Sequence, residues 1–367
     1  MSKRGGLLHI AKVAGISGSE AHLLALLPQL VERGWPIRFL MLHEDEPGAW
    51  EFAAALEQGG VRLDHLRIDG DVDPIAFAQL VRRIGSIRPE LVHTHLVHAD
   101  LYGLPAATAA GVPVRFSTKH GFNEFRERRG FARADRSVAR LAQVHIAISQ
   151  GLADYLHATE GFGREDFEIV HYGITPGPEP DPYEGTVPRL LCIGRLIPIK
   201  GHIVLLRALA EARRTLPTLE LHIAGRGALE SPLRELAHDL GLSDAVRFLG
   251  HVAPIQDEIA RNMAVIVPSL GEGFGMVALE AMERGRPVVA SAVGGLSEIV
   301  VDGETGLLVR PGDADALAAA LVEIGRDPAR SAELGAASRR RAVATFDQDA
   351  CTSRTEELYR DVLDARS

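Results

Sequence analysis

Short Val- and Ile-rich runs alternate with longer helical patterns along almost the whole chain, and they do so in two separate series. In the first, Leu7–Val13, Ile37–Leu42, Val61–Ile68, Leu91–His95, Val114–Ser117 and Val144–Ser149 read as strands. Glu20–Arg33, Pro74–Ile87, His98–Ala110 and Gln150–His157 read as helices between them, each bounded by Gly, Pro, Asp or Ser. Near-continuous apolar strands separated by helices imply a parallel sheet covered on both faces. The series breaks at 173–188, where five prolines and three glycines cannot continue a helix or a central strand. It then restarts with strands at Arg189–Ile193, Leu219–Ala224, Val246–Leu249, Ala264–Pro268, Pro287–Ser291 and Leu307–Val309. Helices are expected at His202–Thr215, Ser231–Leu240, Met276–Arg284, Ser297–Val301, Asp315–Ile324, Ala329–Ala344 and Asp347–Asp364. The expected organisation is an α/β protein of two doubly wound domains, 1–173 and 189–346, joined by a linker at 174–188. A ligand site is expected in the cleft between them, outside the carboxyl ends of the strands.

A length of 367 residues suits two domains. Apolar residues make up 46% and charged residues 24%, a balance that excludes long disorder, collagen and coiled coil. The net charge of −9 gives the chain as a whole no footprint for nucleic acid. Cys192 and Cys351 are the only cysteines, which rules out a disulfide framework or a four-cysteine zinc site and fits a reducing, cytoplasmic compartment. His9 and Lys12 interrupt the first apolar run, so no secretory leader is expected, and no window of about 18 apolar residues could span a membrane.

Two cations follow the first strand of the second series, in Gly194-Arg195-Leu-Ile-Pro-Ile-Lys200-Gly201. A strand-end glycine lets the backbone approach a ligand, Arg195 offers a planar fork and Lys200 a point charge, which together suit a diphosphate. Simple capping of a surface loop remains the alternative reading of this segment. In Pro268-Ser-Leu-Gly-Glu272-Gly-Phe-Gly-Met-Val-Ala-Leu-Glu280-Ala-Met a buried strand runs through a glycine-rich turn into an apolar helix. Gly273 and Gly275 bring peptide amides to the helix N-terminus, where an anion is favoured. Glu272 lies in the turn and can accept from sugar hydroxyls. Glu280, set among Ala278, Leu279, Ala281 and Met282, needs partners for its carboxylate. The two acids address different parts of an elongated ligand; glycosidase carboxyls instead converge on one carbon at roughly 5–9 Å.

Gly194-Arg195…Lys200-Gly201 and the spacing Glu272-x7-Glu280 resemble the nucleotide-sugar site of retaining glycosyltransferases of family 4, the glycosyl transferases group 1, with the GT-B fold. Ala224-Gly-Arg-Gly227, Phe248-Leu-Gly-His-Val252, Val293-Gly-Gly-Leu-Ser-Glu298 and Asp302-Gly-Glu-Thr-Gly-Leu-Leu-Val309 extend the likeness in order and spacing. The resemblance implies two Rossmann-like domains facing a cleft, with a C-terminal helix near 347–367 packing back on the first. It implies that Arg195 and Lys200 hold the donor diphosphate, Glu280 the ribose hydroxyls and Glu272 the transferred sugar. Gly194, Gly225, Arg226, His251, Val252, Gly273, Phe274, Gly275 and Met276 complete the implied donor site. The implied activity is retaining, metal-independent hexosyl transfer without a cofactor, in cell-envelope polysaccharide, glycolipid or glycoconjugate synthesis. Uridine, guanosine and adenosine donors are not distinguished, nor is a sugar, lipid-linked or small-molecule acceptor, nor an oligomeric state.

In the first series, Gly15-Ile-Ser-Gly18-Ser-Glu20 lacks the Gly-x-Gly-x-x-Gly of a nicotinamide enzyme. It is similar to the family's Gly-Gly-x-Glu loop, with Ser17 in place of one glycine, so Gly18 is implied to approach the diphosphate. Thr118-Lys-His120-Gly121 is similar to the family's His-Gly beside the anomeric centre. His120, Glu272, Arg195 and Lys200 are therefore the catalytic candidates. His93-Thr-His95-Leu-Val-His98-Ala-Asp100 reads as helix capping and acceptor-pocket lining, with His95, Asp100 and Asn123 on the acceptor side; a metal cluster is the weaker reading. Asp71-Val-Asp73 and Asp313-Ala-Asp315 mimic a metal motif, but N-capping explains both.

Arg115–Arg140 carries +5 while the remainder of the chain totals −14, and Phe122, Phe125 and Phe131 are interleaved. This segment reads either as a solvated basic loop or as peripheral contact with an anionic membrane face. Competing functions are a nucleotide-sugar epimerase on the same fold, a metal-dependent hydrolase built on His93, His95 and His98, and a non-catalytic nucleotide-binding module.

Overall fold

The computed structural model describes residues 6–70, 73–122 and 129–366, with the backbone alone for 129–132. Asp71, Asn123 and Phe125 lie outside the described residues. The chain divides into two compact units, Met1–Gly173 with Gln348–Ser367, and Ile174–Asp347.

In the first unit the order is β1 (Leu7–Lys12), α1 (Gly18–Glu32), β2 (Ile37–His43), α2 (Pro47–Gln58), β3 (Arg62–Arg67), α3 (Pro74–Ile87), β4 (Leu91–His95) and α4 (Leu96–Ala109). There follow β5 (Val114–Lys119), α5 (Arg129–Ala139), β6 (Val144–Ala147), α6 (Gln150–Glu160) and β7 (Phe167–Ile169). The second unit contains β8 (Arg189–Ile193), α7 (His202–Thr215), β9 (Glu220–Ala224), α8 (Glu230–Asp239), β10 (Val246–Gly250), α9 (Ile255–Ala260) and β11 (Ala264–Val267). It continues with α10 (Met276–Glu283), β12 (Val288–Ser291), α11 (Leu296–Ile299), β13 (Gly306–Val309), α12 (Ala314–Arg326) and α13 (Pro328–Thr345), and α14 (Gln348–Asp364) returns to the first unit.

The first sheet has the order β3-β2-β1-β4-β5-β6-β7 and the second β10-β9-β8-β11-β12-β13. Every recorded strand pair is parallel. Both orders reverse once, beside β1 and β4 and beside β8 and β11, the arrangement of a doubly wound sheet.

Strand periodicity sorts the first core into two faces. Leu8, Ile10, Leu40 and Val92 face α3 and α4 through Leu80, Ile84 and Ala107. Leu7, Ala11, Leu91, Val114 and Phe116 face the other way, onto Leu23 and Leu27 of α1 and Leu358 and Tyr359 of α14. By the same parity His9, His93 and His95 fall on this second face. Helix α14 is held there by Trp35 Nε1 donating to Glu356 at 2.9 Å and Thr352 Oγ1 donating to Gln29 at 2.6 Å.

The proline-rich stretch is not a free linker. Gly177 N donates to Glu283 at 2.8 Å, Arg339 donates to the Gly177 carbonyl at 2.8 Å, and Arg286 donates to the Asp181 carbonyl at 3.0 Å. Residues 174–188 thus pack as part of the second unit, and the chain passes between units at Gly173–Ile174 and Asp347–Gln348.

Candidate functional site

In open parallel sheets ligands bind outside the carboxyl ends of the strands where the order reverses. In the second unit those ends are β8 and β11, and the two motif loops are their continuations. The loops touch through their backbones. Leu270 N donates to the Ile199 carbonyl at 2.7 Å, and a Cβ on Gly201 would meet the Pro268 carbonyl oxygen at 1.9 Å. Any side chain at position 201 would therefore drive the loops apart. Gly225 is similarly placed: its φ is +149° and a Cβ would lie 1.9 Å from the Gly194 carbonyl oxygen.

Side-chain chemistry is concentrated on this platform. Lys200 Nζ donates to Glu272 Oε2 at 2.7 Å, and Ser269 Oγ donates to the same oxygen at 3.0 Å. Arg195 is exposed, and among the described residues its guanidinium makes no hydrogen bond or ion pair. Arg226 and His251 are exposed in the loops after β9 and β10, with Val252 half-buried. Gly275, with φ +112°, opens α10 onto the amide of Met276. Glu280 is half-buried in α10 with no cation paired to its carboxylate among the described residues, and burial first, then Glu283, raises its carboxyl to about 7. Phe274 differs from the expected donor contact: its ring is 2% exposed and packs edge-on to Phe346 at 5.8 Å.

In the first unit the reversal point is flanked by β1 and β4. Gly18 begins α1, and Glu20 accepts from Ser17 N at 3.1 Å and Ser19 Oγ at 3.0 Å, so Glu20 caps the helix. A cavity of about 410 Å³ opens beside this loop, lined in part by Lys12, Ile16, Ser17, Glu20 and His98. A second cavity of about 560 Å³ lies by the starts of β6 and β7, away from the carboxyl ends.

Beneath the loop lies a histidine array that sequence reading missed. His9 Nδ1 is 2.9 Å from His95 Nε2, and His95 Nδ1 is 3.0 Å from His120 Nε2. His120 Nδ1 bonds the Tyr172 hydroxyl, on whose ring His22 stacks at 4.1 Å. His93 reaches the hydroxyls of Tyr359 at 2.5 Å and Thr118 at 2.6 Å. Desolvation holds all of these imidazoles far below their ordinary value, His9 and His22 at about 3. His120 therefore sits where expected, after β5, but both its ring nitrogens are engaged inside its own unit.

His9, His93 and His95 bring one nitrogen each within 4.8 Å of one another, the group of that kind among the described residues. His9 and His95 face each other edge to edge, their planes 8° apart. Tetrahedral zinc with ~2.0 Å bonds holds its ligand nitrogens about 3.3 Å apart, more than the 2.9 Å between His9 Nδ1 and His95 Nε2. His98 lies apart from the cluster, in the 410 Å³ cavity lining.

Two acceptor-side expectations are corrected. Asp100 is fully buried, accepting from Thr94 Oγ1 at 2.5 Å, Ser117 Oγ at 2.9 Å and Lys119 Nζ at 2.6 Å. It anchors the core and does not face an acceptor, and His95 is equally buried. Lys119 also leaves the basic segment's surface, since it lies 3.6 Å from Asp135 as well. Arg115 spends its guanidinium on the carbonyls of Leu141 and Val112, each at 2.5 Å. Asp73 and Asp313 are N-caps, accepting from Ala76 N and Ala316 N, each at 2.9 Å. No helix of the described residues is long and apolar enough to cross a membrane.

Comparison with known proteins gives this geometry a class. The family model for glycosyl transferases group 1 matches residues 187–327, and that for a glycosyl transferase 4-like domain matches residues 17–173. Glycogen synthase of Mycobacterium tuberculosis (strain ATCC 25618 / H37Rv) is 31% identical over 333 residues, 85% of this chain and 75% of that protein. A GDP-mannose-dependent alpha-(1-6)-phosphatidylinositol monomannoside mannosyltransferase of Mycolicibacterium smegmatis is 36% identical over 191 residues, 50% of each protein. The crystal structure of Anabaena Alr3699/HepE in complex with UDP-glucose shares the fold with a TM-score of 0.83 at 22% identity, covering 98% of this chain and 100% of that one. The chain belongs to the group 1 glycosyl transferases. It is a glycosyltransferase of GT-B fold.

Proposed function

We propose that the protein transfers a sugar, with retention of anomeric configuration, from a nucleoside diphosphate to an acceptor hydroxyl. The observation that carries this reading is Glu280, a desolvated carboxylate with no cation beside it, on the platform that also presents Lys200 and Arg195. Such a carboxylate is stabilised by neutral donors, and a ribose diol supplies two. Lys200, Arg195 and the amides opening α10 neutralise the diphosphate, while Glu272 meets the transferred sugar. At 4 Å and an effective dielectric of 20, one such charge contact is worth about 4 kcal/mol before desolvation, enough to assist departure. The bond from the anomeric carbon to the diphosphate oxygen breaks, the acceptor oxygen bonds that carbon on the same face, and the acceptor proton leaves with the diphosphate.

UDP-glucose in the Anabaena structure and GDP-mannose in the mycolicibacterial relative's name support a sugar nucleotide as donor. We assign the acceptor to the first unit, at the cavity beside Gly15–Glu20, and charge neutralisation without a divalent ion to the second. Calorimetry with a panel of nucleoside diphosphates tests the donor site: affinity should fall at least tenfold in Lys200→Ala and Glu280→Ala. Equal affinity in both variants and the parent would refute it. Nuclear magnetic resonance of the product reads the anomeric configuration, and conversion of donor without any acceptor would identify an epimerase instead.

A further inference from the structure

We infer that His9, His95 and Tyr172 are positioning residues that hold His120 in one ring tautomer through a directional hydrogen-bond relay. The inference rests on the reading of His120 as a residue of the reacting centre, but the relay itself is measurable without activity.

The relay runs His9 Nδ1 to His95 Nε2 at 2.9 Å, His95 Nδ1 to His120 Nε2 at 3.0 Å, and His120 Nδ1 to the Tyr172 hydroxyl. Each imidazole is kept neutral by burial, so each owns one N–H and one lone pair. One nitrogen can donate only if the nitrogen facing it accepts. Three rings in line therefore have only two consistent arrangements: every Nδ1 protonated, or every Nε2 protonated.

The far end decides between them. His9 Nε2 is buried without a hydrogen-bond partner among the described residues. A protonated Nε2 there would orphan a buried donor, which is costly, whereas a bare lone pair is tolerated more readily. The favoured arrangement has protonated Nδ1 in all three rings, with His120 donating to Tyr172. Immediately after His95, Leu96 adopts φ +70°, a strained left-handed conformation for a residue other than glycine, and turns the chain at once from β4 into α4. That strain lies where the relay needs His95 fixed. The consequence for the reaction is that His120 cannot swing or change tautomer without disturbing two buried neighbours.

Nitrogen-15 spectra of histidine-labelled full-length protein read each tautomer. His9, His95 and His120 should all show protonated Nδ1 at pH 7. Tyr172→Phe removes the acceptor at the near end, leaves one orphaned donor in either arrangement, and should move His9 at the far end from protonated Nδ1 to a mixture of both tautomers, an effect that local packing alone does not produce. His95→Leu should lower kcat roughly 10- to 100-fold through misplacement of His120, with donor KM within about threefold, and His95→Asn, whose amide takes the place of Nδ1, should recover part of the loss. Mixed or charged rings in the parent protein, an unmoved His9 in Tyr172→Phe, or an unchanged kcat in folded His95→Leu each overturn the inference. Failure of the parent protein to bind any sugar nucleotide would instead defeat the proposed function, and the spectra would still decide the relay.

Discussion

Lys200 and Glu272 form an ion pair at 2.7 Å, although they lie on loops that continue two different strands. The pair holds the β8 loop to the β11 loop and keeps a cation and an acid facing one small region. Both side chains retain some exposure, 24% and 15%, so screening limits the pair's net contribution to stability to about 0–1 kcal/mol. A double-mutant cycle with Lys200→Met and Glu272→Gln should give a stability coupling in that range. The same cycle in donor affinity should give a larger coupling, because each residue then meets a ligand. Equal couplings in both measurements would leave the pair a mere loop clasp.

Glu280 should make the protein less stable as pH rises. Its folded-state value of about 7 lies above the ordinary 4.5, so between those limits the folded chain binds more protons than the unfolded one. Stability from this group is full below pH 4.5, declines through the window, and reaches a cost of about 3 kcal/mol above pH 7. Glu280→Gln should therefore raise the melting temperature at pH 8 and leave it nearly unchanged at pH 4.5, while weakening nucleoside diphosphate binding. A variant no more stable at pH 8 would contradict this.

The histidine array has the opposite sign. His9 and His22, at about 3, and His93, His95 and His120, well below 6.5, bind protons when unfolded and not when folded. Their contribution is fully present above pH 6.5 and is lost as pH falls from 6.5 towards 3. With five such rings the stability of the first unit should fall by up to about 7 kcal/mol per pH unit once the unfolded rings are charged. Denaturant titrations at pH 7, 6 and 5 measure this slope, and a flat profile would show that the rings are charged or exposed in the native state.

Lys119 and Asp100 form a buried pair at 2.6 Å with no exposure of either side chain. Lys119→Met leaves a buried carboxylate unpaired and should cost about 3–5 kcal/mol. Pairing that change with Asp100→Leu should recover part of the loss, since buried Asp135, 3.6 Å from Lys119, still loses its cation. Chemical denaturation of both variants tests this, and a double variant as unstable as the single one would show that packing dominates.

Much of the architecture was legible because buried parallel strands are short apolar runs and the helices between them carry caps. Asp73 and Ser149 mark the starts of α3 and α6, and Gly161 in the left-handed region ends the latter. Helix α2 escaped because Pro47-Gly48 reads as a breaker, though proline is well suited to a first helical turn. The short α9 and three-residue β7 carry too little pattern to be seen. Among site residues, Lys200, Glu272 and Glu280 announce themselves by charged groups at fixed spacing in an apolar setting. Phe274 and Asp100 did not, because burial of a ring or carboxylate depends on neighbours distant in sequence. The relay was hidden for the same reason. His9 meets His93 only because β1 pairs with β4, and strand order is not written in either strand.

Helix α14 closes the first unit from the far end of the chain. Tyr359 is fully buried against Trp35, His93 and Phe116, and the surrounding apolar wall includes Cys351 and Leu358. On the ribosome, these side chains emerge only after the whole second unit has been made. The nascent first unit must therefore wait with part of its wall open to water. Its maturation is timed by the arrival of a single helix.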